Sequence, residues 1–291
     1  MRRAFISFLV ILASSAMLGA QAPQPVLVTG DWLSSRLQDP RVVVLHVATS
    51  RNEYDFGHLP GARFVAHGSL APSIGGLSTQ LPPEAQIDSV LELAGVSDGA
   101  HIIIYGQPLQ AARAFVTLEY AGLAGRVSIL DGGLDAWREA GRSVSTEAVP
   151  AARGTLTIKL NPSMVADAPW IQTNSASPVI ALLDARAPEF YLGFSAGQMP
   201  RAGHIPNAMN IPFSSLTSEL TTMRDEARVR RLFEVAGAAR GDTVVTYCHV
   251  GLQASLLYFN ARRLGYPAKI YDGSFEDWSR RSELPVVVKK Q

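Results

Sequence analysis

The strongest constraint on this chain is that it contains the same text twice. "FGHLPGARF" at 56–64 returns as "AGHIPNAMN" at 202–210, and "ILDGGLDAW" at 129–137 returns as "IYDGSFEDW" at 270–278. Between them, "HIIIYGQPLQAARAF" at 101–115 returns as "DTVVTYCHVGLQASL" at 242–256. Three phrases in one order, at offsets of 141 to 146 residues, point to a duplicated unit rather than to chance likeness of glycine-rich turns. Both halves must therefore fold alike, and 291 residues is long enough for two domains.

Within each copy short, unbroken apolar runs recur: "VVVLHV" (42–47) and "VIALLD" (179–184), "HIIIY" and "TVVTY", "VSIL" and "AKIY". Such runs are expected of strands buried on both faces. Between them, "AARAFVTLEYAG" and "LQASLLYFNARRLG" carry apolar residues at helical spacing. The alternation predicts an α/β fold of two domains, each a mainly parallel central sheet flanked by helices. The first domain is expected over 25–143, the second over 159–289, and a small, polar, proline-bearing linker over 144–158. Trp137 and Trp278 read as core and His58 and His204 as turn residues, because all four recur in both copies. Asp272, Gly273 and Ser274 read as a helix start with a side-chain cap.

The N-terminus, "MRRAFISFLVILASSAMLGAQA", has two arginines, a short apolar run and then small residues. This order is that of a secretory signal peptide over 1–22, and the run is short for a membrane span. The expected location is the periplasm or outside the cell, with no stable membrane span once the leader is removed. Net charge is +1, so no strong field invites nucleic acid. The single cysteine, Cys248, excludes an internal disulfide and a cysteine zinc site. A lone thiol in an exported chain stands out, because an oxidising compartment challenges it. Free cysteines are often plain core residues. Cys248, however, ends a strand run, precedes a helix run and is followed by Gly251, a setting in which loop amides and a helix N-terminus lower a thiol pKa.

Together these phrases resemble the tandem-domain rhodanese family of thiosulfate and 3-mercaptopyruvate sulfurtransferases. The resemblance is carried by "LLDAR" (182–186), "AGHIPNAMNIP" (202–212), "VVTYCHVGLQAS" (244–255) and "YDGSFEDW" (271–278), and covers nearly the whole mature chain. It implies two rhodanese-like domains, the first inactive because Gly106 stands where the second has Cys248. It implies that Cys248 carries a persulfide, moving sulfane sulfur from thiosulfate, a small anionic donor, to cyanide or a thiol, without a cofactor or metal. The expected substrate-binding residues are Arg186, His249, Val250, Gly251, Leu252 and Gln253, and a monomer is expected. For Arg186 the competing role is a surface ion pair with Asp184 or Glu189. His249 could lend positive charge or face solvent, and Gln253 could reach substrate or cap the loop.

The chain departs from the family in three places. His249-Val250 follows the cysteine where thiosulfate-type relatives carry basic residues and mercaptopyruvate-type relatives carry Gly-Ser. Ala66 replaces an acid of the mercaptopyruvate type, and Phe190 replaces a second arginine. The serine–aspartate relay is therefore missing, which favours thiosulfate. 3-Mercaptopyruvate sulfurtransfer and a non-catalytic persulfide-carrier module for a protein partner are the alternatives. Cysteine phosphatases of the same fold need an arginine six residues after the cysteine, and position 254 is alanine.

Overall fold

The six apolar runs form the strands expected of them. A computed structural model describes residues 24–218 and 221–289; the leader expected over 1–22 lies outside these residues. The first domain holds β1 (Leu27–Val28), β2 (Val42–Ala48), β3 (Arg63–Ala66), β4 (His101–Tyr105) and β5 (Val127–Leu130). They pair in the order β1-β5-β4-β2-β3, every pair parallel. The second domain holds β6 (Ile180–Asp184), β7 (Met209–Asn210), a small antiparallel hairpin β8 (Thr217–Ser218) and β9 (Thr222–Met223), then β10 (Thr243–Tyr247) and β11 (Ala268–Ile270). Its parallel sheet runs β11-β10-β6-β7, the order β5-β4-β2-β3 over again. The counterpart of β1 is reduced to one parallel bridge, Val165 with Ile270.

The repeated phrases do the same work in both copies. The Tyr105 hydroxyl accepts from the Leu59 N–H at 3.0 Å, and the Tyr247 hydroxyl accepts from the Ile205 N–H at 3.2 Å. His58 stacks on Tyr54 and His204 on Tyr191, so both histidines brace turns. Trp137 and Trp278 are buried, each indole N–H on a carbonyl, of Ser143 and Pro285 respectively.

The two helices that follow β4 and β10, Pro108–Leu118 and Leu252–Arg263, pack against each other. They are buried nearly all round rather than along one stripe, because one side covers the parent sheet and the other meets the neighbouring domain. Phe115 and Phe259 meet edge to face at 5.1 Å. Further along, the buried Glu119 accepts from the Tyr258 hydroxyl at 2.8 Å and from Arg262 Nε at 3.0 Å. One apolar cluster thus runs through both domains.

Each domain also reaches across to the other. The Leu81 N–H donates to Asp272 Oδ2 at 2.8 Å, and the Met223 N–H donates to Asp131 Oδ1 at 2.8 Å. Asp131 and Asp272 are the matched aspartates of "ILDGG" and "IYDGS", so the clasp is reciprocal. Asp272 is therefore not the helix cap expected of it. Gly273 occupies the cap of Ser274–Arg280 without a side-chain cap bond, because the aspartate is committed across the interface. The segment 144–158 lies along the first domain, with Ser145 exchanging both backbone bonds with His58 at 2.8 Å and the Gly154 N–H on Glu92 O at 2.8 Å. No helix among the described residues is long and apolar enough to cross a membrane.

Candidate active site

Cys248 sits directly after β10, at the C-terminal end of the second sheet, where ligands of open parallel sheets bind. Its backbone is held by the start of the helix Ser274–Arg280. The Cys248 N–H donates to Ser274 Oγ at 3.2 Å, Cys248 O accepts from the Phe275 N–H at 2.9 Å, and His249 O accepts from the Glu276 N–H at 2.8 Å. The chain then turns tightly through Gly251, at φ 89°, into the helix Leu252–Arg263. That left-handed turn favours glycine, and a Cβ there would also come within 3.1 Å of Asp272 O. It aims the Gly251 N–H at Cys248 Sγ, 3.2 Å away.

The N–H groups of Ala254, Val250, Gly251 and Gln253 all favour a negative charge on that sulfur, as does the helix N-terminus. The thiol is nevertheless only 1% exposed, and burial outweighs the amides, pushing its pKa above the ordinary thiol value. This differs from the expectation that the loop lowers it. The loop supplies the anion-holding groups, and the surrounding core supplies a larger opposing effect.

The structure brings Cys248, His249, Val250, Gly251, Leu252 and Gln253 together as one loop, with Arg186 close to its floor. Arg186 is 1% exposed. Its Nε lies 3.0 Å and its Nη2 2.6 Å from the Asp184 carboxylate, Nη2 also donates to Gly203 O at 2.8 Å, and the guanidinium covers the Phe275 ring at 4.1 Å. The Asp184 pairing is thus present, but in the interior rather than at the surface. Burial works against the Arg186 charge, yet Asp184 outweighs it and raises the pKa.

His249 is half-buried and meets Phe190 edge to face at 4.6 Å. Burial and the nearby Arg186 charge lower its pKa, so the ring is held neutral rather than lending a positive charge. Val250 and Leu252 are half-buried. Gln253 is also half-buried, and its Oε1 is enclosed without a partner among the described residues.

Three further side chains, none of them among the expected site residues, complete the surroundings of the loop. Ser274 accepts from the cysteine's own N–H. From the first domain, the Thr79 hydroxyl donates to Val250 O, and Arg113 Nη2 donates to Asp272 Oδ1 at 2.7 Å. Arg113 had a faint signal, a charge inside the apolar phrase "AARAFV". Thr79 had none, since its partner lies 171 residues away.

The matching place in the first domain is closed. Gly106 has φ 151°, and a Cβ there would lie 2.1 Å from Val47 O. His46 takes the sheet position of Asp184, opposite Tyr105 as Asp184 is opposite Tyr247, and stacks on that tyrosine at 4.5 Å. Among the described residues no three His, Cys, Asp or Glu side chains cluster as a metal site.

Comparison with known proteins agrees with this arrangement. The rhodanese-like domain profile matches twice, at residues 29–140 and 167–281. The chain is 33% identical to the putative thiosulfate sulfurtransferase SseB of Mycobacterium tuberculosis, over 91% of this chain and 98% of that one. It is 29% identical to the sulfur carrier protein TtuD of Thermus thermophilus, over 90% and 96%. Among solved structures, the 3-mercaptopyruvate sulfurtransferase SseA of Escherichia coli aligns with a TM-score of 0.76 at 26% identity, over 86% of this chain and 99% of that one. Two profile matches spanning most of the chain, on a duplicated parallel α/β fold with a cysteine loop in one copy alone, place this protein in the rhodanese family of sulfurtransferases.

Proposed function

We propose that the protein is a thiosulfate sulfurtransferase working through a persulfide on Cys248. The Cys248 thiolate attacks the outer sulfur of thiosulfate, the bond between the two thiosulfate sulfurs breaks, and its electron pair leaves with sulfite. The outer sulfur stays on the protein as the persulfide. Cyanide or a thiolate then attacks that sulfur, giving thiocyanate or a new persulfide, and the electron pair returns to Cys248. The chemistry calls for no cofactor, because the sulfur carrier is the protein's own side chain.

The observation that carries this reading is the set of loop amides converging on Cys248 Sγ. Amides that favour a thiolate also favour a persulfide anion and donate to the oxygens of departing sulfite. The choice of thiosulfate over 3-mercaptopyruvate rests on two residue identities. Val250 in the loop brings no hydroxyl, and Ala66, standing where mercaptopyruvate-type relatives carry an acid, brings no carboxyl, so the serine–aspartate relay of that type is absent. With export directed by residues 1–22, the reaction runs in the periplasm or outside the cell, which N-terminal sequencing of the fractionated protein checks.

The test is intact mass after incubation with thiosulfate. A gain of one sulfur atom is expected, removed by cyanide with release of thiocyanate, and Cys248→Ser abolishes both. An unchanged mass overturns the proposal. Loading by 3-mercaptopyruvate alone moves the protein to that donor, and a persulfide stable to cyanide marks it as a carrier.

A further inference from the structure

Cys248 belongs to the second domain, but one of the peptides that holds its sulfur is gripped from the first. Val250 O and the Gly251 N–H belong to a single peptide unit. The N–H side bonds Cys248 Sγ at 3.2 Å, and the carbonyl side accepts from the Thr79 hydroxyl. A hydroxyl donating to a peptide carbonyl fixes the plane of that peptide and polarises it, which strengthens its N–H as a donor. The chain Thr79 O–H, Val250 C=O, Gly251 N–H, Cys248 Sγ is therefore continuous across the domain interface.

Two further observations point to the same place. Thr79 has φ 49°, the left-handed region, which a β-branched residue adopts only at a cost. It is held there from both flanks: the Ser78 N–H donates to Glu276 Oε2 at 2.8 Å, Gln80 Nε2 to Asp272 O at 3.3 Å, and the Leu81 N–H to Asp272 Oδ2 at 2.8 Å. Arg113 is 0% exposed, and its Nε and Nη1 have no partner among the described residues. Its Nη1 lies 3.3 Å from where a Gly251 Cβ would stand, while Nη2 holds Asp272. A buried guanidinium with unused N–H groups is costly for stability alone. Here it lays positive charge against the turn that aims an amide at the sulfur.

We propose that Thr79, backed by Arg113, is a positioning residue of the Cys248 loop, so that the domain without a nucleophile orients the peptide that stabilises the sulfur anion in the other. For turnover this rests on the sulfurtransferase reading; for the reactivity of Cys248 it does not. The other charged groups around the loop are Arg186 with Asp184, His249, and Glu276 paired with Arg280 at 2.7 Å. Substituting Thr79 removes none of them.

The test compares Thr79→Val, which keeps the side-chain shape and removes the hydroxyl, with Thr79→Ser, which keeps the hydroxyl. The first readout is the rate of Cys248 alkylation by iodoacetamide across pH, which needs no sulfur donor. Thr79→Val is expected to slow alkylation at pH 7 by about tenfold, the effect of one lost hydrogen bond, and to move the pH profile to the alkaline side. With thiosulfate, kcat is expected to fall with KM changed by less than about twofold. Thr79→Ser restores both, and Arg113→Lys shifts the profile in the same direction. A Thr79→Val alkylation profile superimposable on that of the wild type overturns the proposal, whatever the fate of Arg113→Lys. Should the wild type take up sulfur from no donor, the sulfurtransferase reading falls, and the alkylation comparison still decides the role of Thr79.

Discussion

Arg186 Nη2 lies 2.6 Å from Asp184 Oδ2, two residues back along the chain, and neither side chain reaches solvent. The Asp184 carboxylate also accepts from the Arg186 backbone N–H at 2.9 Å, so strand end and side chain are tied by one acid. The pair forms the floor of the sulfur loop, and its first duty is structural.

Removing Arg186 leaves a buried carboxylate without its cation. Arg186→Gln is therefore expected to cost about 3–5 kcal/mol of stability, read as a lower urea midpoint at pH 7. A variant with a wild-type midpoint and only a raised KM for thiosulfate would return Arg186 to substrate binding.

The first domain is not one substitution away from activity. A side chain at Gly106 meets Val47 O, and the place of Asp184 is taken by His46. Gly106→Cys in a Cys248→Ser background is expected to take up no sulfur from thiosulfate and to lower the thermal midpoint. Sulfur incorporation at residue 106, seen by mass, contradicts this.

Phe190 faces the neutral His249 ring at the loop. Phe190→Arg places a cation there, and a charge-assisted bond to a sulfonate at a half-exposed site is expected to lower KM for thiosulfate by about tenfold at low salt. The gain should shrink as ionic strength rises. Steady-state kinetics at two salt concentrations checks both statements.

Burial lowers the pKa of His46 to about 4 and of His101 to about 4. The unfolded chain binds these protons near pH 6.5, and the folded chain does not. Stability is therefore fully present above pH 6.5 and is lost as pH falls through about 4, by roughly 3 kcal/mol for each imidazole at the low end. Urea midpoints at pH 7 and pH 4.5 should differ accordingly, and His46→Phe should narrow the gap. At the other end of the scale, the raised Cys248 thiol predicts alkylation that keeps accelerating as pH climbs past the ordinary thiol range.

The strands, the duplication and the Cys248 loop were all legible in the sequence, because each is a pattern of residue identity; the strand order within each sheet was not, because it depends on pairing between distant segments. "HIIIY" and "TVVTY" announce buried parallel strands by apolar run alone, and Gly251 announces a turn that a side chain would strain. Side chains with two partners within reach are less legible. Asp272 reads as part of a helix start and is a clasp to the first domain; for Arg186 the sequence offers both a substrate contact and a pairing with Asp184, and the structure shows that pairing, buried.

By itself the sequence determined that a unit occurs twice, that each copy is a parallel α/β layer, and that only the second carries a thiol at a strand end. Periodicity and residue identity suffice for that, since they act over a few neighbouring residues. The tertiary structure alone decided what surrounds the thiol. Burial raises the Cys248 pKa against its own amides, Asp184 claims Arg186, and Thr79 reaches Val250 from 171 residues away. The first is an effect of desolvation in the packed core and the second a pairing inside the second domain, while the third arises only when the two copies close on each other.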